Sequence, residues 1–109
     1  MQVKGVAVVA FIPGDSSNTW ISKMKVAGAL SNESANYLAV AYSKAGEMAE
    51  TFQHSGSGAR EPKLGEFGWQ GGVIKQVKAG YLLATFSGAT GEQDLEIANK
   101  GLACLMNHY

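Results

Sequence analysis

The sequence predicts an α+β domain in which an antiparallel sheet of about four to five strands carries two helices, in the order β-β-α-β-β-α. Three observations point there. Apolar, β-branched runs of strand length occur in two pairs, each pair closed by a glycine-bearing turn. Each pair is followed by a segment whose apolar residues recur at three- and four-residue steps, the helical period. No internal repeat or low-complexity tract competes with that order, and two hairpins each followed by a helix bury their apolar faces by packing helix on sheet.

The first strand is the run from Gly5 to Ile12, ended by Pro13-Gly14-Asp15. The second spans Thr19 to Val26, where Met24 and Val26 alternate with Lys23 and Lys25 as in a half-buried strand. The first helix runs from Ser34 to near His54, with Tyr37, Leu38, Ala41, Tyr42, Ala45, Met48, Ala49 and Phe52 as its apolar stripe. Its cap lies among Ser31, Asn32 and Ser34, and Glu33 suits the positive end of the helix dipole. Residues 55–70 form one long polar and glycine-rich loop that reads as a mobile crossover. The second hairpin joins Val73-Ile74-Lys75-Gln76-Val77-Lys78 to Tyr81-Leu82-Leu83-Ala84-Thr85-Phe86 through an Ala79-Gly80 turn. Thr90 and Gln93 have capping-box spacing, so the last helix starts there, with Leu95, Ile97, Ala98, Leu102, Leu105 and Met106 inward.

Length and composition bound the rest. A chain of 109 residues fits a single domain spanning 1–109 with one core. Nine basic and nine acidic residues cancel, which gives no overall field to draw in nucleic acid or an anionic membrane. Only 17% of residues are charged, below the roughly 25% usual for soluble domains, which leaves apolar surface for a homo-oligomer to cover. Cys104 stands alone among apolar neighbours and reads as an inert thiol on the buried face of the last helix. No run reaches the ~18 apolar residues of a membrane span, and the start is unlike a signal peptide. The expected location is the cytoplasm.

Gly71-Gly72-Val73-Ile74, then Gly80 to Gly88 ending in Phe86-Ser87-Gly88, then Ala89-Thr90-Gly91-Glu92-Gln93-Asp94 before an Ala- and Leu-rich helix, form the most specific stretch. It resembles the GlcG/HbpS-like haem-degrading domain family, also found as the C-terminal domain of PduO-type proteins. The Val6-Ala7-Val8-Val9 strand and the Lys44-Ala45 step resemble it more loosely. The resemblance implies a profilin-like fold, oligomerisation, and binding of haem or another small molecule. Relatives commonly begin with an amphipathic helix that supplies haem ligands, whereas this sequence opens on the strand.

The candidate ligand-binding residues are Gly71, Gly72, Ser87, Gly88, Thr90, Asp94 and His54. Ser87, Gly88, Thr90 and the first amides of the last helix could hold an anionic group, or simply end a strand and start a helix. Asp94 either compensates the helix dipole or meets a ligand. Gly71 and Gly72 either admit a ligand or start a strand. His54 could turn towards a ligand or stand solvated at a helix end, and His108 lies near a fraying terminus. Trp20, Phe67 and Trp69 line a flat pocket or pack in the core, and Lys44 offers a charge to a carboxylate or is merely solvated. No nucleophile-base-acid set and no zinc spacing is visible, so no catalytic or metal site is expected. The competing reading is a protein-interaction module of the same fold that uses an exposed sheet.

Overall fold

The computed structural model describes residues 5–14, 23–28 and 36–107, the segment 23–28 as backbone only. The element order is β1 (Val6–Pro13), β2 (Lys23–Gly28), α1 (Tyr37–Thr51), β3 (Gly72–Val77), β4 (Gly80–Ser87) and α2 (Gly91–Met106). The fold is α+β: two helices and an antiparallel sheet in the order β2-β1-β4-β3. The longest apolar strands, β1 and β4, lie side by side at its centre, pairing from Val6 with Ser87 to Pro13 with Gly80.

Successive strand residues point to opposite faces, and each face has its own helix. Val6, Val8, Ala10 and Ile12 of β1 join Ile74 and Leu83 against Ala41, Ala45 and Met48 of α1. Val73, Leu82 and Ala84 point the other way, against Ala98 and Leu102 of α2. Helix α2 lies over β3 and β4, whereas α1 also reaches β1. Each fully buried aliphatic side chain in these layers contributes about 2 kcal/mol of burial free energy, so the sheet is held from both sides. Alternation also explains why β1 reads as a continuous apolar run: Val9 and Phe11 pack towards the α2 layer.

Several element ends differ from the sequence reading. Helix α1 is capped by Asn36, whose Oδ1 accepts from Ala39 N at 3.1 Å. Ser31, Asn32, Glu33, Ser34, Trp20 and His108 lie outside the described residues, as does the start of the expected second strand. The helix ends at Thr51 rather than near His54, because Phe52 adopts φ 57°, ψ 27°. Its amide still donates to Met48 O and its ring packs on Tyr81 with centroids 4.8 Å apart. Tyr42, expected inside, is 40% exposed, being one helical step off the face that carries Ala41, Ala45 and Met48.

The β3-β4 turn is Lys78-Ala79, one residue earlier than expected. Gly80 is the first residue of β4, and a Cβ there would strike Ile12 O of the neighbouring strand. Its glycine therefore serves close strand approach. On α2, Cys104 is exposed, which corrects the expectation of a buried thiol. The inward stripe of that helix is Asp94, Ala98 and Leu102, at successive four-residue steps, and Cys104 falls off it.

Residues 55–70 are pinned, which corrects the expectation of a mobile crossover. Arg60 donates to both carboxylate oxygens of Glu66 at 2.7 and 2.9 Å, and Glu66 also accepts from Lys63 N. The Gly56 amide donates to buried Glu47 of α1, and Lys63 pairs with Glu50. Ser55 N donates to Gly72 O along the outer edge of β3. Charged residues that read as loop polarity are thus the anchors.

Candidate functional site

The site begins with two charged residues placed where apolar ones belong. Lys44 sits between Ala41 and Met48 on the inward stripe of α1, and Asp94 opens the inward stripe of α2. The sheet separates the two helices, but at the Ser87 end of β4 both reach past its edge. There Lys44 Nζ meets Asp94 Oδ2 at 3.0 Å, with 2% and 6% of the side chains exposed. Lys44 Nζ also donates to Phe86 O at 2.7 Å, and Asp94 Oδ1 accepts from Ala89 N at 3.0 Å. The pair therefore ties α1, β4 and the first turn of α2 together.

Burial dominates the electrostatics of both partners. It holds the Lys44 ammonium below the usual lysine range, against the hydrogen bond and charge of Asp94, which pull it back up. It pushes the Asp94 carboxyl above the usual aspartate range, opposed by Lys44 and the Ala89 amide. Removing charge from water is the larger effect in each case. Asp94 is thus not a solvated residue compensating the helix dipole, and Lys44 is not the solvated helix residue its position first suggests.

Gly71 makes room for the pair. Its φ is 120°, and a Cβ would meet Lys44 Nζ, lie 2.7 Å from Asp94 Cβ and 2.9 Å from Phe86 O. The close approach that this glycine permits is to the protein's own charges. A Cβ on Gly72 would lie 2.7 Å from both Met48 Cε and Ser55 Oγ, so that glycine serves packing.

Above the pair opens a cleft of about 540 Å³. Lys44 and Asp94 form its floor, and Ser87, Gly88, Ala89 and Gly91 supply one wall where β4 turns into α2. Tyr37 and Val40 of α1 stand opposite, with Gly68, Trp69 and Gln70 of the pinned loop at the rim. Trp69 is 54% exposed and stacked on Phe67, ring centroids 4.6 Å apart and planes 20° apart. These two aromatics were expected either in the core or on a pocket; they are exposed, and Trp69 lines the cleft.

Of the sequence candidates, the fold brings Ser87, Gly88 and Asp94 together in this cleft, with Gly71 behind its floor. Thr90 is occupied as the cap of α2, accepting from Gln93 N at 3.2 Å while Gln93 Oε1 accepts from Thr90 N. His54 lies apart: its Nδ1 accepts the Ile74 amide at 3.1 Å, on the open edge of β3. Sequence reasoning missed Tyr37 and Val40 as cleft residues and the role of Lys44 as partner of Asp94.

Among the described cleft residues Tyr37 is the one side chain of a type that serves as a haem axial ligand, and neither His nor Cys lines the cleft. Lys44 is held by Phe86 O and Asp94. Among the described residues no group of three His, Cys, Asp or Glu could hold a metal ion, and no helix is long and apolar enough to cross a membrane. Models of known protein families, curated proteins and solved structures give no significant match to this chain.

Proposed function

We propose that the chain is a small-molecule binding module that works as a homo-oligomer, a profilin-like domain akin to the GlcG/HbpS-like family that the Ser87 to Asp94 stretch resembles. The observation carrying the ligand reading is the cleft itself. Its volume of about 540 Å³ lies within the ~300–1,000 Å³ usual for small-molecule sites. A few convergent polar groups sit beneath an exposed aromatic, the arrangement that orients a ligand. An ammonium has three protons, and the bonds to Phe86 O and Asp94 use two, leaving one for an acceptor in the cleft.

The chemistry limits the occupant. Asp94 already balances Lys44, and Glu92 and Asp94 already place negative charge in the first turn of α2. A multiply charged anion such as a polyphosphate would face that carboxylate. The cleft suits a compact molecule with one carboxylate or carbonyl acceptor for Lys44 and a flat apolar part against Trp69.

The test is a thermal-shift and isothermal-titration screen with benzoate, short aliphatic carboxylates and haemin as probes. A saturable carboxylate response that weakens about tenfold or more in Trp69→Ala supports the site. Saturable haemin binding with no response to any carboxylate would overturn it.

A further inference from the structure

Of the lysines whose side chains are described, Lys63, Lys75, Lys78 and Lys100 are exposed and Lys44 is buried. A buried ion pair is often no better for stability than two well-packed apolar side chains. Stability therefore does not by itself account for Lys44 and Asp94 in the apolar stripes of α1 and α2. A pair closed off from all space would also have nothing to act on. This one forms the floor of a cleft of about 540 Å³.

The surroundings of the amine suit reaction as well as holding. Asp94 Oδ2 stands 3.0 Å from Nζ and Phe86 O stands 2.7 Å from it. Burial disfavours charge on both members, lowering the lysine and raising the aspartate from their usual ranges. One proton passed across the 3.0 Å contact gives a neutral amine beside a neutral carboxylic acid. When a carbonyl group enters, the acid proton turns to its oxygen and frees the nitrogen lone pair for its carbon. An amine with a positioned proton donor is the arrangement that adds to carbonyl compounds, and a desolvated lysine is the side chain that supplies it.

We propose that Lys44 captures a small aldehyde or ketone in the cleft as a reversible imine, with Asp94 as proton donor and acceptor. The inference rests on the small-molecule reading above and deepens it, naming the occupant's reactive group as a carbonyl carbon with a flat apolar substituent against Trp69. Nζ adds to that carbon and the π pair of the C=O bond moves to oxygen. The oxygen takes the proton of Asp94, and the nitrogen gives one of its own back to the carboxylate. The carbinolamine hydroxyl then leaves as water with that proton, while the nitrogen lone pair closes the C=N bond. The products are a protonated imine, an Asp94 carboxylate beside it and one water, so protons and charge balance and nothing is oxidised or reduced. The remaining N–H keeps Phe86 O as its acceptor.

The experiment treats the full chain with benzaldehyde and cyanoborohydride near neutral pH and maps benzylated lysines by peptide mass spectrometry. Benzoate binding is titrated beside it. Lys44 should be alkylated about a hundredfold faster than Lys63, Lys75, Lys78 or Lys100, the lower end of what a positioned acid supplies. Excess benzoate should slow Lys44 and leave the exposed lysines unchanged, and Trp69→Ala should slow Lys44 by about tenfold. Lys44→Arg keeps a cationic donor for Asp94 and Phe86 O but forms no imine, and should lose the fast adduct while the exposed lysines react as before. The wild-type map carries the test even if that variant fails to fold. Labelling of Lys44 no faster than of the exposed lysines, with benzoate still binding saturably, overturns the imine and leaves the binding reading standing. No selective labelling together with no benzoate binding overturns both.

Discussion

Lys44→Met leaves the Asp94 carboxylate buried with the Ala89 amide as its remaining donor, and Asp94→Leu leaves the Lys44 ammonium buried on Phe86 O. With side chains 2% and 6% exposed, neither orphan can turn to water. Each single change should therefore cost about 3–5 kcal/mol, the penalty for an uncompensated buried charge. That is a large part of the ~5–15 kcal/mol that holds a domain of this size. In the double variant Lys44→Met/Asp94→Leu no charge is stranded. What remains is the Ala89 amide without Asp94 and the Phe86 carbonyl without Lys44, together about 1–3 kcal/mol or somewhat more. Independent effects would sum to about 6–10 kcal/mol, so the cycle should show a coupling of about 3 kcal/mol or more. Urea unfolding with matched slopes measures all four chains. The pH dependence of Lys44→Met is a second reading. Burial already raises the Asp94 pKa, and removing Lys44 removes two influences that lower it. A folded pKa above the unfolded value means more protons bound when folded. Stability is therefore greatest below the ordinary aspartate pKa and is lost as pH rises through the folded value. Lys44→Met should recover stability on mild acidification, more so than wild type. Additive single costs with a flat pH profile would show that the two side chains are solvated and unpaired.

Glu66 is held down to about 2, chiefly by Arg60 and then by the Lys63 amide. Because this folded pKa is depressed, the brace is intact above about 4.5 and is lost as pH falls towards 2. Protease nicking near Leu64 should rise across that window, and in Arg60→Ala at pH 7; a Glu66 carboxyl titrating near 4.5 in a carbon-detected NMR series would contradict the brace. Gly71→Ala combines a left-handed backbone with contacts under 3 Å to Asp94 and Phe86, and should cost about 3 kcal/mol in thermal unfolding. Stability within 0.5 kcal/mol of wild type, an ordinary surface effect, would mean that the floor of the cleft is loose. His54→Ala removes the acceptor for Ile74 N and should cost about 1 kcal/mol. It should leave carboxylate binding unchanged, and a lost titration signal would instead place His54 at the ligand.

The α+β class, with an antiparallel sheet and two helices, was legible because burial imposes its period on the sequence. The α1 and α2 stripes could be read at three- and four-residue steps, and the capping box at Thr90 and Gln93 appears as its spacing says. Ser87, Gly88 and Asp94 were also legible, through the strand-to-helix junction where β4 leaves the sheet. Trp20 and the cap candidates Ser31, Asn32 and Ser34 lie outside the described residues. The ion pair was hidden because each half looks innocent in its own helix, Lys44 as a solvated residue and Asp94 as a dipole partner. A signal was nonetheless present: Lys44 falls on the stripe Ala41, Ala45, Met48, and Asp94 on the stripe Ala98, Leu102. A charge set into an apolar stripe needs a partner of opposite sign, and the two were the natural match once both helices were known to meet the Ser87 end of β4. The loop misled for a related reason. Arg60, Glu66, Lys63 and Glu47 are polar in composition but satisfy one another and the backbone across 3 to 13 residues of sequence, so their polarity holds the loop in place. That fixed loop displays both Trp69 over the cleft and Leu64 over α1. The proposed ligand would therefore meet a segment that the chain's own charges already hold in place. If assembly further restrains that segment, the ordering required at Trp69 is already met before the ligand arrives, and the affinity of the cleft should rise with the oligomeric fraction.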